Sequence, residues 1–124
     1  MARLSCATLG LFSDARFVGR CVLVLDHHAE HFESLAPELA SRFMADAQRA
    51  ARSIRSVTGS ERINYAMLCN QVPHLHLHLF PRGGAGDSNP RVSPWELDAP
   101  ETPMAAAELE ALRGRLAHAL RALS

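Results

Sequence analysis

The sequence predicts an α+β fold, an antiparallel sheet of about five strands with two main helices packed on one side. Short apolar runs recur between turn-forming clusters, two long segments carry apolar residues at helical spacing, and the order runs strands, helix, strands, helix. At 124 residues the chain is enough for one modest core and too short for two, so residues 1–124 are read as a single domain.

Residues 4–12 are apolar and small without helix-capping chemistry, and "SDARFVG" then supplies a turn, which predicts a strand and a hairpin bend. "CVLVL", residues 21–25, is a continuous apolar run rich in β-branched side chains, the pattern of a strand covered on both faces. In "APELASRFMADAQRAARSIRSV" the residues Leu39, Phe43, Ala47, Ala50 and Ile54 recur every three or four positions, giving an amphipathic helix opened by Pro37 and closed before Gly59. Its arginines, Arg42, Arg49, Arg52 and Arg55, read as a solvated face. "RINYAMLC", residues 62–69, reads as a strand joined through "NQVP" to the next one as an antiparallel hairpin. Beyond Arg82 comes a Gly/Pro-rich loop of about twenty residues, long enough for a functional flap or a mobile segment. Trp95 within it reads equally as a hydrophobic anchor or as a lid over a pocket. "MAAAELEALRGRLAHALRAL" is a second helix with Leu109, Leu112, Leu116, Leu120 and Leu123 on one stripe.

Basic and acidic residues number 13 each, so no sequence-wide field favours nucleic acid or an anionic membrane, and any phosphate affinity must be local. No apolar run approaches the roughly 20 residues that span a bilayer, and the opening residues carry no signal-peptide pattern, so a cytoplasmic protein is expected. Cys6, Cys21 and Cys69 are widely spaced and odd in number, which suits reduced thiols acting as small buried hydrophobes. His27 and His31 read as surface residues and His118 as a structural one.

The segment "NQVPHLHLHLFPR" places His74, His76 and His78 at every second position with leucines between. On a strand such residues share one face while Leu75, Leu77 and Leu79 take the other, so the leucines are core and the histidines line something. Their use as a plain sheet face is poorly motivated, since valine, threonine or tyrosine have better strand propensity. As metal ligands, His74 and His78 would stand roughly 13 Å apart on a strand, too far to share one ion, and a two-histidine site would need further ligands such as Cys69, His27 or His28. As a row along an extended anion they fit better. Neutral imidazole, with an ordinary pKa near 6.5, can attack phosphorus at the middle position while its neighbours donate hydrogen bonds to phosphate oxygens.

"HLHLHLFPR" resembles the His-φ-His-φ-His-φ-φ signature of the histidine triad (HIT) superfamily of nucleotide hydrolases and transferases. The resemblance covers most of the chain: "GRCVLVLDHHAEHFESLAPE" is similar to the family's second strand and the approach to its helix. "RINYAMLCNQVP" is similar to the strand entering the triad in bacterial members like diadenosine tetraphosphate hydrolases. The resemblance implies a HIT-like fold and a nucleoside phosphate hydrolase or nucleotidyl transferase that cleaves at an α-phosphorus. His76 would be the nucleophile forming a nucleotidyl-histidine, with His74 and His78 positioning it and contacting the α-phosphate. It also implies substrate contacts from Gln71 and Asn64 to phosphate or leaving group, from Asp14 to ribose hydroxyls, and a supporting role for His28 beside the triad. It implies a nucleotide or dinucleoside polyphosphate substrate, no bound metal or other cofactor at the triad, magnesium arriving only with a polyphosphate, and a homodimer. Two rivals stand beside this reading, a non-catalytic nucleotide-binding or interaction protein and an H-x-H metal enzyme. Two positions depart from the family pattern: Arg20 follows Gly19 where many members carry histidine, and Cys69 stands where bacterial relatives commonly carry glycine.

Overall fold

The computed structural model describes residues 2–123. Five strands, β1 (Ala2–Arg3), β2 (Ala7–Leu11), β3 (Cys21–Leu25), β4 (Arg62–Ala66) and β5 (His76–Arg82), join helices α1 (Pro37–Thr58) and α2 (Ala106–Ala122). The strands form one sheet in the order β1-β2-β3-β5-β4, antiparallel at every pairing. This is the expected α+β architecture of five strands and two helices.

The limits of α1 follow from its terminal residues. Pro37 occupies the first turn, where its missing N–H costs nothing, and Gly59 adopts a left-handed φ of 71° that ends the helix with its N–H on the Arg55 carbonyl. Phe43, Ala47, Ala50 and Ile54 of α1 and Leu112, Leu116 and Leu120 of α2 pack on the inner face of the sheet, against Leu23, Leu77 and Leu79. The α2 stripe is buried at its centre only; Leu123 is exposed at its end. The α1 arginines are less idle than a solvated face: Arg42 donates to the Ser5 carbonyl, Arg49 to Leu120 and Arg55 to Ser60.

Two strand expectations are corrected. The β3 run is covered on one face only: Cys21, Leu23 and Leu25 are buried under the helices, while Val22 and Val24 are half-buried and look outward. A continuous apolar run does not reveal which face meets the core. The β4–β5 connection is nine residues, 67–75, instead of four, because β4 ends at Ala66. Cys69 in this link has a positive φ of 55° and Pro73 has no N–H, and neither geometry continues a ladder. His74 therefore precedes the strand, and only His76 and His78 alternate on it.

The long loop after Arg82 is held down on the outer face. Arg82, nearly buried, donates to both carboxylate oxygens of Asp87 and to the carbonyls of Asn89 and Val92. Burial works to raise the Asp87 carboxyl, but the hydrogen bonds from Arg82 and Gly83 outweigh it and hold it below the ordinary range. Leu97 then packs on Phe17 and Phe80 as a small second core. At the far end, Ala15 donates to the Thr102 carbonyl and Met104 to Ser13 Oγ.

On the helix side, buried Asp46 of α1 accepts the backbone N–H groups of Ser5 (3.2 Å) and Cys6 (2.8 Å), fixing the β1–β2 turn to the helix. Asp46→Ala strands both donors, and urea denaturation should show a loss of about 2–3 kcal/mol. An unchanged midpoint would mean that the turn holds its shape without the carboxylate.

Candidate active site

On the outer face of the sheet, β3 lies beside β5 with Val22 opposite His78 and Val24 opposite His76. These residues floor a cleft of about 600 Å³, walled by Phe12, Trp95, His74 and the 67–75 link, and ending at Arg20. A second cleft, of about 720 Å³, runs along Gly83–Gly86 on another flank; no histidine or cysteine lines it.

His76 carries the clearest chemistry. Its Nδ1 lies 2.7 Å from the carbonyl oxygen of His74. A carbonyl only accepts, so Nδ1 holds the proton and the neutral ring keeps its lone pair on Nε2. The tight path from His74 into β5 brings that carbonyl back over the ring two residues later. His74 is fixed in the same manner by donating Nε2–H to the Leu25 carbonyl at 2.7 Å. The Cys69 sulfur completes the surround, 3.7 Å from His76 Nδ1 and 3.6 Å from the His76 carbonyl. Of the three cysteines, Cys6 and Cys21 are buried, while Cys69, whose backbone is left-handed, borders the triad half-buried.

His78 sits edge-on to His76 with ring centroids 5.1 Å apart. Phe12, Phe80 and Trp95 surround it at 6.0, 5.9 and 5.8 Å. Its imidazole is pushed down to about 4, first by burial, then by the charges of Arg20 and His76. Its Nδ1 and the Nε of Arg20 are the buried side-chain nitrogens without a hydrogen-bond partner among the described residues. Trp95, half-exposed, serves as a wall of the cleft and also packs on Phe80 at 5.1 Å.

The remaining expected site residues divide. Gln71 lines the cleft with its neighbour Asn70. His28 is exposed with its ring 6.0 Å from that of His74, beside the triad and outside the cleft lining. Asn64 faces outward one layer further along the sheet, where its Oδ1 accepts from Arg82 at 2.6 Å. Asp14 is not brought into the cleft: it is fully buried, with Oδ1 bound by Arg16 and Oδ2 by both Arg16 and Arg20. Burial works to raise its carboxyl, and the bonds from Arg16 and Arg20 outweigh this and lower it. The oxygens that the resemblance would assign to ribose hydroxyls are taken by these arginines in this structure. Arg20 and Phe12 line the cleft instead. The signal for Arg20 was its alternation with Val22 and Val24, hidden because the run between them is apolar throughout. Among the described residues no three His, Cys, Asp or Glu side chains gather into a group able to hold a metal, and no helix is long and apolar enough to cross a membrane.

The HIT domain model matches residues 7–85. The chain belongs to the HIT, or histidine triad, family, and with it has a nucleotide-related function of that family's kind. Among solved structures it is similar to a histidine triad protein from Bradyrhizobium japonicum (23% identity, TM-score 0.85, covering 95% of this chain and 87% of that one). A histidine triad protein from Sinorhizobium meliloti matches at 24% identity with a TM-score of 0.82, covering 93% and 84%. A zinc-bound histidine triad family protein from Mycobacterium smegmatis matches at 21% and 0.68, covering 98% and 85%. At these identities the likeness speaks for the fold.

The depressed His78 has a stability consequence with a definite sign. Unfolded, the ring takes up a proton below its ordinary 6.5; folded, it stays neutral down to about 4. The stability it contributes is whole above 6.5 and is lost as the pH falls toward about 4. The lowered carboxyls of Asp14 and Asp87 act in a separate window, beginning below 3.8. Melting temperatures of the wild type should therefore fall between pH 6.5 and 4, with a shallower fall in His78→Asn. Parallel profiles for the two proteins would show that His78 titrates normally in the fold.

Proposed function

We propose that the protein is a nucleoside phosphate hydrolase or nucleotidyl transferase that attacks an α-phosphorus through His76, with dinucleoside polyphosphates among its substrates. The observation that carries this is the 2.7 Å bond from His76 Nδ1–H to the His74 carbonyl, which leaves the Nε2 lone pair available in the cleft. As Nε2 forms its bond to phosphorus, the bond from phosphorus to the leaving-group oxygen breaks and that oxygen takes the electron pair. The ring becomes cationic, and the His74 carbonyl, accepting Nδ1–H, stabilises that charge. A water oxygen, or an acceptor alcohol in transfer, then attacks the same phosphorus. The N–P bond breaks, its electron pair returns to Nε2, and the attacking group's proton is released to solvent. Neutral His78 offers one N–H to a phosphoryl oxygen, and Gln71 reaches the leaving group from the link. His28 supports His74 from outside.

On this reading the protein supplies no cofactor of its own, magnesium enters only on a polyphosphate, and the setting is the cytoplasm. The assembly is a homodimer, a reading supported by the open β4 edge and by exposed Tyr65, Leu68 and Val72 beside it. Light scattering at micromolar concentration should give twice the chain mass; a monomer mass throughout the range would remove the dimer.

His76→Ala should lower turnover of a diadenosine polyphosphate by at least about a thousandfold while nucleotide binding stays within a few-fold, because the bond-forming atom alone is lost. His74→Ala keeps its backbone carbonyl and loses only the ring, so a smaller fall, about a hundredfold, is expected. Mass spectrometry of wild type quenched in denaturant during turnover should find a nucleoside monophosphate on a peptide containing His76. A His76→Ala protein with near wild-type turnover would be incompatible with the mechanism. A wild type that binds nucleotide and turns over none would place the chain among non-catalytic binders.

A further inference from the structure

The three aromatic rings around His78 come from three parts of the chain. Phe12 follows β2 and is tied to the sheet by its N–H on the Arg20 carbonyl, and Phe80 lies two residues further along β5. Trp95 is different: it stands on a short 3₁₀ turn, Pro94–Glu96, in the long loop. That turn is held on both sides. Leu97 is buried with Phe17 and Phe80, and the carbonyls of Val92 and Ala99 are bound by Arg82 and Arg16. The indole thereby meets His78 at 5.8 Å and 86° and Phe80 at 5.1 Å and 72°, edge to face in both cases, although 54% of the residue stays exposed.

What this does for His78 follows from the two ring nitrogens. Nδ1 is buried without a partner, so Nε2 is the nitrogen left to serve the cleft that the ring lines. A neutral ring keeps its one proton on Nε2, whereas an imidazolium needs a second on Nδ1, where it meets no acceptor. The charged and titratable groups that face the ring are Arg20, just before β3, and His76 on β5, and both oppose a cation. The cross-strand neighbours on β3 and β4 are Val22 and Ala66, and from the long loop Glu101 reaches Arg20 while the indole reaches the ring. Aromatic faces attract cations, which works the other way. The unmet N–H outweighs this, and the ring stays neutral down to about 4.

We propose that Trp95 is a positioning residue for the reaction: seated on His78 and Phe80, it closes this end of the cleft to water and keeps His78 oriented with Nε2–H toward the phosphoryl oxygens. Trp95 itself does not react; it acts through His78. The assignment rests on the reading of His76 as the point of attack. A ring reached by water would share its N–H with solvent and turn more freely, so the donor would have to be ordered again in each turnover. The loop that follows Arg82 therefore contributes to the chemistry through the one indole it carries.

Nuclear magnetic resonance of the imidazole Cε1–H signals, with His78 assigned by its absence in His78→Asn, tests this without turnover. Wild-type His78 should titrate near about 4. In Trp95→Ala the midpoint should rise by at least about one pH unit toward the ordinary value, and Trp95→Phe, with a smaller ring, should fall between the two. On a diadenosine polyphosphate, Trp95→Ala should lower kcat about tenfold with KM within about threefold, and Trp95→Phe should recover most of the loss. A His78 midpoint that does not move in Trp95→Ala, or a raised KM with kcat unchanged, overturns the assignment. Should Trp95→Ala fail to fold, the emission of Trp95, the chain's only tryptophan, decides. In the wild type it should change with an inflection at the pH where His78 titrates, and lose that inflection in His78→Asn; emission blind to the titration overturns the assignment. The two readings fail separately. Without a modified histidine in the quenched turnover, a raised His78 midpoint in Trp95→Ala leaves the seat of Trp95 standing, whereas a modified His76 with an unmoved His78 removes Trp95 alone.

Discussion

The pairing of β3 with β5 is the constraint on which the rest of the molecule depends. One register sends Leu23, Leu77 and Leu79 into the helices and His76 and His78 into the cleft. A slip of one residue would exchange the two sets, burying imidazoles in an apolar core and exposing leucines to water, so the core specifies the site as strongly as it specifies itself. The environment of His76 inherits this precision. The Leu25 carbonyl that takes His74 and the His74 carbonyl that takes His76 both belong to the ends of this strand pair.

The outer face is held by charge where the inner face is held by packing. Asp14 with its two arginines, and Arg82 with Asp87, are ion pairs removed from water at the two ends of the loop that covers Phe17 and Phe80. Such pairs contribute little net stability once desolvation is counted, but losing one partner is expensive. Their value here is geometric. Besides their carboxylates, Arg82 donates to the Asn89 and Val92 carbonyls and Arg16 to that of Ala99, which ties the loop's path to the sheet at both ends.

Much of this was legible beforehand. Pro37 opens α1 because its fixed φ and missing N–H suit a first turn, Gly59 closes it because glycine takes a left-handed φ without steric cost, and alternating histidine and leucine separate floor from core because a strand has two faces. What stayed hidden depends on choices made at a distance. Asp14 looks like any turn aspartate until Arg16 and Arg20 both close on it, and nothing local distinguishes a carboxylate facing solvent from one with two arginines. The length of the β4–β5 link was hidden in Cys69, a residue type with no preference for the left-handed backbone it adopts. His74, at the end of this link, lies outside the strand with its carbonyl 2.7 Å from His76 Nδ1, so the boundary that the sequence conceals is also where the best-defined contact of the site is made.

The sheet's two margins are unequal. One is β1, which among the described residues pairs through Ala2 and Arg3, with Arg3 held toward Asp26 by an ion pair. The other is β4, a five-residue strand whose outer hydrogen-bonding groups lie open beside Tyr65. A two-residue margin offers a partner strand few hydrogen-bonding groups, so strand addition to this sheet is weighted to the β4 side, and two such edges paired about a two-fold axis would satisfy each other.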